Sequence, residues 1–494
     1  LKRSKHSLSN YKLLTMNMGD LVPVGLQEVL PGDTIQQATS ALIRVSPLLA
    51  PVMHPVHVRI HHWYVPHRLV WEDFEKFITG GPDGNDASVL PLTTVNPSVG
   101  SLADYLGIPT GTSQAVSALP FRGYAKIWNE WYRDQDLQTA LTVDEGSGPD
   151  STTNTSLQAI CWEKDYFTSA RPWEQKGTQI TIPLGTSAPV KGFGKSNLNI
   201  QDPNAAVYET DGTNPTYANA SMVDNAANRI WYAKQTGAGY PDVTADLSSA
   251  TAASIIELRE ALALQRYQEA RARYGSRYTE YLRYLGVKSS DSRLQRPEYL
   301  GGGKQTIQFS EVLQTGVTTD GDDTEGVGNL KGHGIGALRS NRYRRFFEEH
   351  GYVFTFMSVK PKTIYSQGLP RHWSRATKED FWQRELQHIG QQAIKNKEIY
   401  AAHATPTGDF GYQDRYDEYR RTESTIAGEF RSTLDFWHMA RIFSSDPALN
   451  ASFVAANPTP RIYASTSTDQ LYVMANHSIQ ARRLVAHTGG SFIY

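Results

Sequence analysis

Several short runs in this chain hold residue types that could do chemistry, and each was tested for the partners that chemistry requires. Gly194-Lys195-Ser196 ends like a phosphate-binding loop, in which backbone amides cradle phosphate and a lysine meets its charge. That loop needs a glycine five residues before Gly194, and Pro189 stands there. Gly332-His333-Gly334-Ile335-Gly336-Ala337 fits the relaxed glycine pattern of a dinucleotide site. It follows the polar run 318–331 rather than a strand, with no βαβ unit around it, so it reads as a flexible loop. Asp320, Asp322 and Asp323 invite a calcium reading, but the positions that need glycine and glutamate hold Glu325 and Lys331.

His54, His57, His61, His62 and His67 invite a metal reading. On a strand, His57 and His61 would share a face about 13 Å apart at ~3.3 Å per residue, too far for one ion, with Arg59 between them. They read as sheet-surface or interface histidines. Cys161 sits beside Trp162 without a nucleophile signature and reads as a packed thiol. No nucleophile elbow and no paired-histidine zinc motif occurs, so the chain is expected to be no enzyme, with no metal and no cofactor.

Binding chemistry is better represented. Between Arg259 and Arg296 lie nine basic residues and four acidic ones. On a helix, Tyr267, Tyr274, Tyr278, Tyr281 and Leu285 fall on one stripe, beside Arg259, Arg266 and Arg273. Tyrosines that stack bases and arginines that hold phosphates would make a single-strand track. The same residue types are enriched at protein–protein hot spots. Because the local excess of positive charge is modest and acids interleave, subunit contact is the preferred reading for Arg266, Tyr267, Arg273, Tyr274, Arg277, Tyr278 and Tyr281. The first twenty residues are polar and basic, and Lys2, Arg3, Lys5 and Lys12 are the candidates for facing DNA.

The whole chain bounds these readings. Its 494 residues carry 49 Lys plus Arg against 50 Asp plus Glu, a net charge of −1. A protein that mainly coats nucleic acid would be strongly basic, so any genome contact must come from local patches. One cysteine excludes an internal disulfide and suits a reducing compartment. No apolar run is long enough to span a membrane, and no secretion leader is visible, so a soluble, unexported chain is expected.

Pro55 and Pro66 bracket the clearest strand, where Val56, Val58 and Ile60 alternate with His57, Arg59 and His61. Further strands are expected at 178–182, 305–309, 352–359, 424–430, 461–465 and 471–475. Helices are expected at 71–78, 123–133, 254–285 and 377–390, the third ending at Gly286 and interrupted by Gly275-Ser276. Short strands scattered through long loops point to one elaborated β-sandwich. Residues 183–250 carry few large aliphatics and read as an insertion, presented as a surface protrusion.

Four blocks in order carry a resemblance. They are Trp63-Tyr64-Val65-Pro66-His67-Arg68; Leu119-Pro120-Phe121-Arg122-Gly123-Tyr124 with Trp128-Asn129-Glu130-Trp131-Tyr132-Arg133; Asp165-Tyr166-Phe167-Thr168-Ser169-Ala170; and Arg277-Tyr278-Thr279-Glu280-Tyr281-Leu282 with Arg293 through Gly302. Together they resemble the major capsid proteins of the Microviridae, particularly the gokushovirus branch. The resemblance implies a mainly β fold, an eight-stranded viral jelly roll with long loop and helical insertions. Residues 1–20 would form an inner-surface arm, and 21–494 one capsid domain containing the 183–250 insertion. It further implies self-assembly into a T=1 icosahedral shell around circular single-stranded DNA. Implied partners are a small basic DNA-binding protein, an internal scaffolding protein, a pilot protein and a host surface receptor. The virion would be the destination, after assembly in the bacterial cytoplasm. The alternatives are a β-sandwich carbohydrate-binding or carbohydrate-active protein, which needs a carboxylate pair in an aromatic cleft, and a cellular single-strand binding protein, which should be basic overall.

Overall fold

Period-two alternation builds the main sheet. In the computed structural model Val56, Val58 and Ile60 are shut from solvent, and the strand they define runs Val56–Pro66. The structure describes residues 3–178, 180, 190–191, 193–195, 207–209, 223–225, 228–230, 244–245, 255–275, 277–315 and 328–486. The chain divides into one unit of residues 1–174 with 271–494 and a second of residues 175–270.

Ten strands make the sheet of the first unit: β1 (Ser4–Ser7), β2 (Asn10–Met16), β3 (Val22–Val29), β4 (Thr34–Val45), β5 (Val56–Pro66), β6 (Glu298–Leu313), β7 (Leu330–Arg339), β8 (Tyr343–Phe346), β9 (Gly351–Pro361) and β10 (Leu471–Arg483). The order is β1-β10-β4-β7-β6-β5-β9-β3, with β2 also on β10 and β8 also on β4. Every pairing is antiparallel. The long strand β6 pairs with β5 over 298–307 and with β7 over 308–313, its register shifting between Tyr299 and Gly301. Passing from one partner to the other lets the sheet curl over itself. Ile43, Val45, Leu471 and Val473 then pack with Val58, Ile60, Met357 and Val359 in one core. This is a mainly β sandwich of the jelly-roll kind. Its sheet has two strands more than the expected eight, because β1 and β2, within the segment expected as an N-terminal arm, both pair with β10.

Helix α1 (Phe74–Thr79) and helix α2 (Leu119–Ile127) lie in the loops. Pro120 opens α2, where its missing N–H costs nothing. Phe121, Tyr124, Ile127 and Trp128 bury the outer side of β5 and β9 against Trp63, Val65, Phe354 and Phe356. A separate cluster of Tyr166, Phe167, Ile394, Ile399, Phe410 and Phe453 organises the long C-terminal loops. The expected 254–285 helix is two helices, α3 (Ile255–Tyr274) and α4 (Tyr278–Tyr284), parted at Gly275, whose φ of 95° favours glycine.

Other expectations are corrected. Residues 377–390 form only two short 3₁₀ turns, Lys378–Asp380 and Arg384–Leu386. Phe381, Trp382 and Ile389, which mimic a helix face, point into solvent and find no core. Residues 424–430 and 461–465 form no strand. The glycine-rich run at 332–337 is no loop but the middle of β7. Its alternate glycines face inward, where a Cβ on Gly332 would lie 2.3 Å from the Ala50 carbonyl oxygen and one on Gly334 2.7 Å from Val45.

In the second unit, the described pieces are strand pairs of Val190–Lys191 with Thr244–Ala245, Phe193–Lys195 with Val207–Glu209, and Val223–Asn225 with Asn228–Ile230, together with α3 as far as residue 270. The remainder of 183–250 lies outside the described residues. So do Lys2, Asp320, Asp322 and Asp323, and 178–182 except for 178 and 180.

Candidate assembly and nucleic-acid surfaces

Two histidines between the layers of the sandwich have both ring nitrogens bonded by the fold. His62 is wholly buried, bonded to Thr355 Oγ1 at 2.9 Å and Ser340 Oγ at 3.1 Å. His477 donates from Nε2 to the Val24 carbonyl at 3.0 Å, its Nδ1 is hydrogen-bonded to Thr39 Oγ1 at 2.9 Å, and burial lowers its pKa. Tyr343 donates to Gln37, which donates to Thr355, extending this network across the sandwich. Burial, and then the neighbouring His477, push the pKa of His62 down to about 3. His54 and His67 are buried too, and His61 bonds the Tyr132 hydroxyl at 2.7 Å. The expectation of surface histidines is therefore corrected for His54, His62 and His67, which the fold buries, while His57 and His61 stay partly exposed. Among the described residues no group of three or more His, Cys, Asp or Glu is placed to hold a metal. The Cys161 thiol donates to the Tyr132 carbonyl at 3.2 Å, and burial raises its pKa.

Two clefts of the first unit bear on the carbohydrate alternative. One, of about 480 Å³, contains Glu398 and Glu418 beside Trp373. Glu398 is almost fully buried and already accepts from Arg371 at 3.1 Å, the Lys395 amide at 2.9 Å and the Tyr166 hydroxyl at 3.2 Å. Glu418 lies 3.8 Å from Arg371 and 3.9 Å from Arg375. Glu398 and Glu418, so engaged, lock loops together, and the third carboxylate of the lining, Glu423, is exposed. The other, of about 520 Å³, is lined by Trp131, Arg283, Lys288 and Arg296 and holds only Asp291 as an acid, which is paired to Arg296 at 2.7 Å.

The tyrosine and arginine candidates divide in two. Arg266, Tyr267, Arg273 and Tyr274 are exposed on α3, and Tyr278 and Tyr281 on α4. Tyr274 packs on Tyr284 with ring centroids 4.6 Å apart. The helix break thus dissolves the single stripe into separate pairs. Arg273 reaches Asp414 at 3.1 Å. Arg277 is turned inward, donating to the Asn129 carbonyl at 2.7 Å and the Arg133 carbonyl at 3.3 Å. It fastens α4 to the end of the α2 segment and is occupied by its own chain.

The N-terminal candidates part in the same way. Arg3 donates to the Gly32 carbonyl at 2.9 Å and lies over the Phe346 ring at 5.4 Å. Lys5 is exposed on β1, opposite Arg482. Lys12 faces the other way. Its ammonium donates to the carbonyls of Pro23 and Tyr105, and burial lowers its pKa to about 8, against the pull of Asp104.

Sequence reading missed two surfaces. The first is the outer face of the β2-β10-β4-β7 layer. There Leu13, Met474, Leu42 and Ala337 stand in one cross-strand row, and Thr15, Tyr472, Arg44 and Ile335 in the next. Tyr11 and Leu13 are 71% and 69% exposed. The period-two signal was present, but polar residues inside β4 (Gln37 and Thr39) obscured it. The second is a loop patch in which Trp373 is 72% exposed and Phe381 and Trp382 stand half in water. Arg375 lies over the Tyr419 ring at 4.4 Å and near Phe381 at 5.4 Å.

A jelly-roll sandwich whose aromatic loops and outer sheet are left uncovered belongs to the class of self-associating shell proteins. The comparisons narrow this. A sequence model of the family described as "Capsid protein (F protein)" matches residues 1–492. Capsid protein VP1 of Bdellovibrio phage phiMH2K is 39% identical over 486 residues, covering 94% of this chain and 90% of the relative. VP1 of Chlamydia phage 1 is 33% identical over 550 residues (95% and 92%), and VP1 of Spiroplasma virus 4 is 32% identical over 513 residues (96% and 92%). The chain belongs to this phage capsid family: it is a structural component of a virion and not an enzyme. Among the described residues no helix is long and apolar enough to cross a membrane.

Proposed function

We propose that the chain is the repeating subunit of a T=1 icosahedral shell enclosing a circular single-stranded DNA genome. The observation that carries this reading is the full-length family match of a sandwich whose sheet face and loop aromatics are left uncovered by its own fold. Tyr, Trp and Arg on long loops are the residue types that anchor subunit contacts, and shell contacts burying about 2,000 Å² or more would hold neighbouring copies together. Exposed Tyr274, Tyr278 and Tyr281, with Arg266, Tyr267 and Arg273, remain contact candidates, joined by Trp373 and Trp382. Assembly takes place in the host cytoplasm with an internal scaffolding protein, a pilot protein and a small basic DNA-binding protein.

Expression of the full chain with and without its scaffolding partner, followed by sedimentation and negative-stain microscopy, tests this. Closed particles of uniform diameter are expected. A chain that stays solitary under every packaging condition would overturn the reading. Residues 183–250 are proposed as a protrusion that meets the host receptor. Removing 190–245 should leave particles forming but abolish adsorption, scored by binding of labelled particles to host cells; full adsorption would exclude that role.

A further inference from the structure

We infer that the outer face of the β1-β10-β4-β7 layer is a seat for single-stranded nucleic acid, with bases on its tyrosines and phosphates on its arginines. This rests on the reading of the chain as a shell around single-stranded DNA and names the surface that meets the strand. The charge distribution carries it. The protein as a whole is balanced at −1, yet strands β1, β2, β4, β7, β8 and β10 contain no Asp or Glu at all. Their outward positions hold Lys5, Arg44, Arg339 and Arg482, all exposed and none in an ion pair among the described residues. Some arginines elsewhere in the first unit are tied to carboxylates, as Arg171, Arg273, Arg371 and Arg421 are. These four cations thus share one sheet face whose strands supply no carboxylate.

The aromatic groups stand in step with these cations. Register places Tyr472 directly opposite Arg44, and Tyr11 opposite Asn476, which pairs with Ser40 and so with Arg339 two strands further on. A ring and a guanidinium therefore recur in rows four residues apart, roughly 14 Å at ~3.4 Å per residue, with the apolar row of Leu13, Met474 and Leu42 between them. A π-face accepts any base, and an arginine fork accepts any phosphate, so the surface would hold DNA without reading sequence. A duplex hides its base faces and could not use the tyrosines. A second copy of this chain would need carboxylates to meet the four cations, and a protein partner is the competing outcome.

The test uses the full chain and a fluorescent oligothymidylate of about 30 nucleotides, a length that spans more than one site. Anisotropy should report binding that weakens with salt, with a log–log slope near −3 for about four neutralised phosphates. Arg44→Ala with Arg339→Ala should reduce that slope by about 1.4. Tyr11→Ser with Tyr472→Ser should weaken binding about tenfold at unchanged slope, and Tyr→Phe at both positions should restore it. Circular dichroism of each variant verifies folding. Variants that bind like the parent, or that lose particle formation while keeping DNA affinity, overturn the assignment, the latter giving the face to another subunit. Particle formation by the unaltered chain is read separately. Particles with an indifferent face sink only this surface, whereas binding of the expected kind without particles sinks only the shell.

Discussion

Arg122 has no solvent contact, and its charge is balanced inside the fold. Its Nε meets Asp150 at 2.7 Å, while Nη1 donates to the carbonyls of Val70 at 3.0 Å and Gly146 at 2.9 Å. Burial alone would raise the Asp150 carboxyl, but hydrogen bonds from Thr153 and Arg122 outweigh it and hold the group below its usual range. Arg122→Ala strands a buried carboxylate and two loop carbonyls. It should cost about 3–5 kcal/mol of stability, seen as a lower urea midpoint of the unassembled chain. His62 makes a different prediction. Its folded pKa, about 3, lies below the ordinary histidine value of 6.5, so the unfolded chain takes up a proton first as pH falls. The stabilisation from keeping it neutral is complete above pH 6.5 and is lost progressively down to about pH 3. Urea midpoints measured from pH 7 to pH 4 should fall, and His62→Gln should flatten that decline. An unchanged slope in the variant would remove His62 from the account.

At the level of elements, what could be read from the sequence follows from how each strand is filled. β5 was legible because one side of it is purely aliphatic and two prolines fence it. β9 and the start of β10 were legible for similar reasons. β4 was hidden because its inward positions include Gln37 and Thr39, which are buried through bonds to β8, β9 and β10 that no local pattern reveals. β7 was hidden because its inward side chains are replaced by hydrogen atoms. Leu48 donates to the Gly332 carbonyl at 3.2 Å and the loop 48–51 lies directly over that backbone. Gly332→Ala should therefore separate β7 from this loop, since the clash is with backbone and cannot be relieved by a rotamer. A loss of about 1–3 kcal/mol is expected, measurable as a lower melting temperature of the soluble chain; a neutral result would mean that the loop can lift away. The contact candidates were half legible. Residue type selected Tyr274, Tyr278 and Tyr281, but only the fold shows that Arg277 is spent on Asn129 and Arg133 and that Lys12 is spent on backbone carbonyls.

The whole molecule poses a question of charge. Each copy carries −1, so a closed shell brings no bulk of positive charge to a packaged strand, whatever its sheet face holds locally. Every nucleotide brings one negative charge, and condensing it at close range needs counterions that are either small cations or a separate basic protein. Shells assembled from this chain alone in moderate salt should accordingly protect little single-stranded DNA from nuclease. Adding a polyamine or a short basic peptide should raise the protected DNA per particle several-fold while leaving particle number and diameter unchanged. Neutralisation by the shell itself would make protection indifferent to both additions, and the division of labour argued from the balanced composition would then fail. A rise in particle number without more DNA in each would instead mean that the cation serves assembly and not packaging.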